Sequence, residues 1–354
     1  MIELDFRKSV ADRGIDTKKD GAIPFAEEIE RLGYGGLWHG HFMVGDLPGF
    51  DTLQVLTAVA ARTSRIMLGT AVLQVPIYHP VDLARRIVTL DNLSDGRFLF
   101  GIGSGGDEWE YETLGLPFNR RVSRCNEILD VMKRLWTTDE PITYEGQHFN
   151  FTHPIQVLPK PVTKPHPKLV IAGTWRGMLK GRQRAGQPRI DDWSPAAITR
   201  IATYGDGWIT NSSIPPARAT EVVKDGMDRI RARAKELGRT INHDEFELVA
   251  ETGAVNINPK NKALEEGENF WSARVARGYH QTRGNPSLES HLTTGVYGDA
   301  QEVADFMLQW IEVKKTVPAL KRIQINLGTM DLVAQLHRFH DEVYPLIEKD
   351  LKAA

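Results

Sequence analysis

His39-Gly40-His41 closes a short apolar stretch at 36–38, and its residue types and spacing could do chemistry. Two histidines one residue apart share a face on extended chain, which is how an imidazole pair grips a metal ion. A metal-dependent hydrolase would need further histidines and an aspartate from comparable stretches. Those stretches end instead in Ala172-Gly173-Thr174, Thr210-Asn211 and Asn326, none of them a strong zinc ligand. The pattern therefore favours no metal and a single histidine, His41, acting as proton donor or hydrogen-bond partner at a strand end. A purely structural histidine is the plainer alternative, more so for His39.

A second constellation is built of glycine. Gly101, Gly103 and Gly106 satisfy the GxGxxG spacing of dinucleotide-binding turns. Such a turn should open a helix at once and be followed about 20 residues on by an acidic strand end. Here helix-start signals are absent until about Arg121, and no such acid appears. The better reading is a loop whose small residues let a flat ring lie against backbone, with Ser104 free to donate a hydrogen bond. A tight turn without ligand remains the alternative. Asp107, Glu108, Glu110 and Glu112 read as a solvated helix N-terminus rather than a cation site. His337 and His340 read as surface or interface residues of the last helix. No GxSxG elbow, Walker loop, HExxH or CxxC motif is present.

Positioning these residues calls for short buried strands alternating with helices. Apolar or alternating runs predict strands at 1–6, 36–38, 66–73, 98–102, 169–172, 208–210, 246–254 and 322–326. Helical spacing runs over 23–32, 52–62, 80–93, 121–136, 216–237, 299–313 and 331–349, and Ser194-Pro195 opens another helix. Gly33 is the expected left-handed stop of the first helix and Asp51 the N-cap of the second. Eight strand–helix units favour one (β/α)8 TIM barrel over residues 1–354, with the active face at the C-terminal ends of the strands. Three insertions break the rhythm: about 139–165, with a hairpin; 174–193, rich in Gly and Arg; and 256–294, read as one helix within a lid.

The 354 residues are 41% apolar and 25% charged, an ordinary globular composition. A net charge of −2 gives no electrostatic ground for a nucleic acid or anionic membrane partner. Cys125, the single cysteine, rules out an intramolecular disulfide, suits a reducing compartment and reads as a buried structural thiol. The opening residues lack a long apolar core and no run approaches the ~20 residues of a membrane span, so a cytoplasmic location is expected.

The segments LGTAVLQVP, HPVDLARRIVTLDNLSDGRF, GIGSGGDEWEYETLGLPFNRR and EILDVMKRLW resemble the luciferase-like flavin and deazaflavin oxidoreductase family. PKPVTKPHPKLVIAG, ATYGDGWI and EEIERLGYGGLWHGHF fit it too. The resemblance implies a (β/α)8 barrel, His41 beside the reactive centre of the ring, and a non-proline cis peptide at Ala71–Val72 that supports the ring face. Ser104, Gly105, Ala172, Gly173 and Asn211 match positions that contact the cofactor in the family, and Gln74 and Gly106 fall in the same walls. It further places the cofactor phosphate near Gly173 and the helix opened by Ser194-Pro195. Two departures stand out. Gly40 replaces an acid often found before the strand-two histidine, and Gly106 replaces a carboxylate of some deazaflavin dehydrogenases, which disfavours a sugar-phosphate dehydrogenase of that type. Lys180, Arg182, Arg184 and Arg189 could pair with a cofactor phosphate or an acidic tail, or form a solvated loop.

The family leads to a monooxygenase using reduced FMN and O2 on a small organic substrate, served by a separate flavin reductase and assembled as a homodimer. The alternative within the family is hydride transfer with coenzyme F-420. Trp38, Phe42, Tyr78, Trp109 and Trp175 suggest a partly apolar pocket, with His280, Arg283 and His291 offered to the substrate by the lid. A barrel that only binds flavin is the remaining non-enzymatic reading.

Overall fold

A computed structural model of the chain describes residues 1–8, 21–41, 50–173, 175, 193–276 and 288–354. In chain order the strands are β1 (Glu3–Lys8), β2 (Gly36–His39), β3 (Met67–Thr70), β4 (Leu73–Gln74) and β5 (Phe98–Gly103). After them come β6 (Ile142–Glu145) and β7 (Asn150–Ile155), which form an antiparallel hairpin of their own. The chain then supplies β8 (Leu169–Ala172), β9 (Gly207–Ile209), β10 (Glu247–Ile257), β11 (Val296–Gly298) and β12 (Leu320–Leu327). Apart from the hairpin and β11, these strands make a closed parallel barrel: β12 pairs with β1, then β2, β3 continued by β4, β5, β8, β9 and β10, which returns to β12. The fold is a (β/α)8 barrel, and β11 merely lengthens the sheet beside the end of β10.

Alternation along the strands decides what faces where. On β1, Leu4 and Phe6 point outward to the helices. Phe6 meets Phe25, Tyr34 and Phe339 edge to face at centroid distances of 6.4, 4.8 and 5.6 Å, and burying such a ring contributes roughly 2–3 kcal/mol. The helix Ala22–Arg31 forms beneath it because Ala22, Phe25, Ala26 and Ile29 recur at spacings of three and four and are all buried. It stops at Gly33, whose φ is +83°. Asp51 accepts from Gln54 N at 2.9 Å and starts the helix Thr52–Ala60.

Inside the barrel, an apolar layer of Trp38, Met67, Leu99, Val170, Ile209 and Val249 lies between two charged ones. Toward the strand starts, Arg322 donates to Asp5 at 3.1 Å and to Glu247 at 2.9 Å. Burial raises the Asp5 carboxyl above its ordinary range, against the pull of Arg322 and of the Trp38 indole N–H at 2.8 Å. Toward the strand ends, Arg7 pairs with Glu251.

Several expectations need correction. The strand predicted at 66–73 is broken into β3 and β4, with Ala71 and Val72 joined by a cis peptide between them. The acidic run read as a helix N-terminus does open one, the short helix Glu108–Thr113, ahead of the start at about Arg121. Its Glu110 and Tyr111 are buried, so the acidic run is only partly solvated. In 256–294, the first two residues belong to β10, and helices Lys260–Ala276 and Leu288–Thr294 replace the single one expected. The longer helix is fastened to β10, since Glu266 accepts from Asn256 and Asn258, each at 3.0 Å. Cys125 is fully buried, and burial pushes its thiol up. Among the described residues no helix is long and apolar enough to cross a membrane.

Candidate active site

Parallel pairing brings the ends of five neighbouring strands to one mouth. Ala71 N donates to His39 O at 2.8 Å, Gln74 stands opposite Gly103, Ile102 opposite Ile171, and Gly173 N donates to Ile209 O at 3.2 Å. Around that rim lie His41, Ala71 to Gln74, Ser104 to Gly106, Ala172, Gly173 and Asn211. The two histidines of the HxH pair do not converge. His39 lies within β2 and its Nδ1 faces the Thr52 hydroxyl at 3.2 Å, whereas His41 lies beyond the strand end. Among the described residues no group of three or more His, Cys, Asp or Glu is placed to hold a metal ion.

His41 is 4% exposed. Desolvation pushes its imidazole down to about 4, with Asp51 opposing and His39 adding to the fall, so the ring is neutral at pH 7. Its Nε2 lies 3.1 Å from the Tyr78 hydroxyl. Burial raises the Tyr78 hydroxyl above its ordinary value, so it keeps its proton and donates. Nε2 then accepts, and the imidazole proton belongs on Nδ1, which is buried without a partner. Arg124 fixes Tyr78 by donating to the carbonyls of Pro76 at 2.7 Å and Tyr78 at 3.3 Å. Tyr78→Phe keeps the ring and removes the donor, so turnover should fall about tenfold, the worth of one hydrogen bond to a working imidazole. Steady-state rates beside urea unfolding check this, with stability expected within about 1 kcal/mol of wild type.

Two more buried polar atoms at the rim have no partner: Gln74 Oε1 and Asn211 Oδ1. Asn211 Nδ2 is engaged, donating to Trp175 O at 3.4 Å. Gly105 has φ +69°, and a Cβ there would come within 2.7 Å of Gln74 Oε1 and 2.9 Å of the Tyr111 hydroxyl. That hydroxyl donates to Ser104 O at 2.7 Å. Among the described residues nothing lies within 4 Å of where a Cβ on Gly106 would stand. One N–H donor and two amide acceptors, all buried and unspent, suit a flat heterocycle with N–H and C=O groups on its edge. The residues present fit a flavin or deazaflavin ring.

Other expected residues lie elsewhere. Trp38 is fully buried one layer down, donating to Asp5, and belongs to the barrel core rather than a substrate wall. Trp109 is half-buried on the helix Glu108–Thr113 with its Nε1 unpartnered. His291 stacks on Trp271 at 4.9 Å and its Nε2 lies 2.6 Å from the Tyr297 hydroxyl, within the packing of the 256–294 segment. Gly173 gives its carbonyl to the Trp208 indole at 3.2 Å, and Trp175 is fully buried. Phe42, His280, Arg283 and the Lys and Arg residues of 176–189 lie outside the described residues. Arg7, Glu251 and Tyr111 were missed. For the first two, the available signal was a charge at an inward-facing position of a barrel strand.

A cavity of about 530 Å3 opens at the opposite end of the barrel, lined in part by Tyr34, Arg97, Lys168, Glu247 and Arg322. Its cations are already engaged: Arg97 donates to carbonyls of Ala60, Thr63 and Ile66, Lys168 and Arg322 to Glu247. Chemistry in this fold sits at the other face, with His41, Gln74 and Asn211.

Residues 9–188 match the profile of the luciferase-like monooxygenase family. The chain belongs to that family. It is 38% identical over 133 residues to 4-hydroxyprotoasukamycin monooxygenase of Streptomyces nodosus subsp. asukaensis, a match covering 37% of this chain and 35% of the relative. With the FMNH2-dependent dimethylsulfone monooxygenase of Pseudomonas putida it shares 24% identity over 324 residues, 86% of this chain and 81% of the other. The chain spans between a third and a half of the length of the first curated relatives it matches. Among solved luciferase-like folds, an F420-dependent secondary alcohol dehydrogenase holding an F420-acetone adduct superposes with a TM-score of 0.72 at 16% identity, covering 99% of each chain.

Proposed function

We propose that the protein is a flavin-dependent oxidoreductase, a monooxygenase that takes reduced FMN from a separate reductase and uses O2 on a small organic substrate. One observation carries the reading: a neutral, desolvated His41, oriented by Tyr78, shares its rim with the unspent acceptors Gln74 Oε1 and Asn211 Oδ1. Reduced flavin, when bound, supplies two electrons and a site at which oxygen reacts. The chain's own part is to hold and shield. Gln74 and Asn211 accept from the ring edge, the small residues Ser104 to Gly106 let backbone come close, and His41 offers or takes a proton at Nδ1. Burial of these atoms keeps competing water away. Support for FMN comes from the Pseudomonas relative, which aligns over most of both chains.

Hydride transfer with coenzyme F-420 is the second reading, favoured by the likeness to the alcohol dehydrogenase fold. Against one branch of it, Gly106 stands where some deazaflavin dehydrogenases carry a carboxylate, which disfavours a sugar-phosphate dehydrogenase of that type. Anaerobic titration with reduced FMN and, separately, with the deazaflavin coenzyme decides. Saturable, tighter binding of reduced FMN is expected. Tighter binding of the deazaflavin would transfer the site to hydride chemistry, and binding of neither would end the flavin reading.

A further inference from the structure

Arg7 and Glu251 form a charged pair that the proposed chemistry does not use and that packing does not require. Barrel interiors are ordinarily filled with branched apolar side chains. A buried ion pair gives no net stability over apolar residues of the same shape. Yet this pair is held from several sides. Arg7 Nη2 donates to the Ala71 carbonyl at 3.0 Å, and its Nη1 meets the Glu251 carboxylate. Asn326 Nδ2 donates to Glu251 Oε1 at 3.3 Å and is itself fixed by the Thr252 carbonyl at 2.7 Å. Arg7 Nε is buried without a partner. The two side chains remain 10% and 12% exposed, so the pair is not sealed in the core. A cation thus lies against the strand end that carries Ala71 to Gln74, paired with a carboxylate from β10.

We infer that Arg7 is a positioning residue whose guanidinium, held against the Ala71 carbonyl by Glu251, biases the cofactor site toward the reduced, negatively charged form of the ring. The inference rests on the flavin reading above. An oxidised flavin ring is neutral, whereas the reduced ring readily loses a proton from its pyrimidine edge and becomes an anion. A fixed cation nearby favours the anion and leaves the neutral form almost untouched. Only such a difference in affinity shifts the balance between the two forms. Glu251 sets the size of the bias: with it, the charge of the guanidinium is largely offset, and without it the site feels a bare cation.

The test compares anaerobic affinities for oxidised and for reduced FMN in four proteins: wild type, Arg7→Lys, Glu251→Gln, and the double variant Arg7→Met/Glu251→Gln. The double variant is used because Arg7→Met alone would leave a buried carboxylate without its partner. Glu251→Gln should raise the ratio of reduced to oxidised affinity about tenfold, and the double variant should lower it by about as much. Arg7→Lys keeps the charge and should stay within about threefold of wild type. Oxidised-form affinity should stay within about threefold throughout. A residue with a purely structural role would move both forms together, so a constant ratio across proteins that still bind FMN overturns the assignment. If the double variant does not fold, an unchanged ratio in Glu251→Gln overturns it just as well. Wild-type protein that binds neither form removes the flavin reading, and this inference with it.

Discussion

His41→Ala should lower turnover by at least about a hundredfold while the barrel stays folded, the scale of a lost proton-transfer group. The side chain can be removed cleanly because no backbone element depends on it: His41 lies beyond β2, and its one side-chain hydrogen bond is to Tyr78. Substrate-dependent oxygen uptake with reduced FMN reads the rate, and far-UV circular dichroism reads the fold. Rates near wild type would remove His41 from the chemistry. Its pH dependence follows from desolvation. A ring held down to about 4 stays neutral across the physiological range, so a fall in activity centred near 6.5 would show that the imidazole is not desolvated. Stability has the matching sign. Between 6.5 and about 4 the unfolded chain binds a proton that folded His41 refuses. The contribution is therefore complete above 6.5 and is lost as pH falls toward 4, a change of roughly 3 kcal/mol in wild type that His41→Ala should abolish. Urea midpoints of the two proteins measured across that window check it.

What could be read from the sequence follows the reach of local rules. All eight barrel strands were visible as apolar or alternating runs, and Gly33 and Asp51 end and start helices by backbone conformation and side-chain capping alone. The start of the helix Glu108–Thr113 showed in its acidic run, but its length did not, because two buried residues, Glu110 and Tyr111, make no period. In Lys260–Ala276 the buried Ala263, Gly267, Phe270 and Trp271 are set among Glu265, Glu266, Glu268 and Asn269, so the apolar face is thin. Strand ends gave away the rim residues His41, Gln74 and Asn211. The inward charges did not show, because alternation in LDFRK looks the same whichever face is wet. In β1 the apolar face packs on helices and Asp5 and Arg7 point into the barrel, the reverse of a surface sheet. Trp38 was misplaced by its neighbourhood: it stands next to the histidines in sequence, but within β2 its side chain reaches into the core toward Asp5.

The glycines that first suggested a nucleotide loop separate into two kinds, and Gly101→Ala should expose the difference with a loss of at least about 3 kcal/mol of stability. A Cβ on Gly101 would sit 1.7 Å from the Thr70 carbonyl oxygen and 2.8 Å from the carbonyl carbon. Those atoms are backbone of the neighbouring strand and cannot swing aside as a side chain would. They are also tied in place, since the Thr70 hydroxyl donates to the Gly101 carbonyl at 2.6 Å. β3 pairs with β5 as far as Gly69, and β4 resumes the pairing at Leu73 opposite Ile102. Between those points Thr70 to Val72 arch over Gly101, and the arch carries Ala71, whose carbonyl Arg7 grips. An alanine must therefore push β3 and β5 apart, costing pairing and packing together. Gly106, in the same motif, has none of the described residues within 4 Å of its would-be Cβ, and Gly106→Ala should change stability by no more than about 0.5 kcal/mol. Urea unfolding of both variants separates the cases. A Gly101→Ala protein as stable as wild type would mean that the arch yields, and the glycine would then have to be explained by a ligand. For Gly106→Ala the informative reading is FMN affinity at unchanged stability. A drop would place the ring beside Gly106, because none of the described residues lies within reach of the new methyl group.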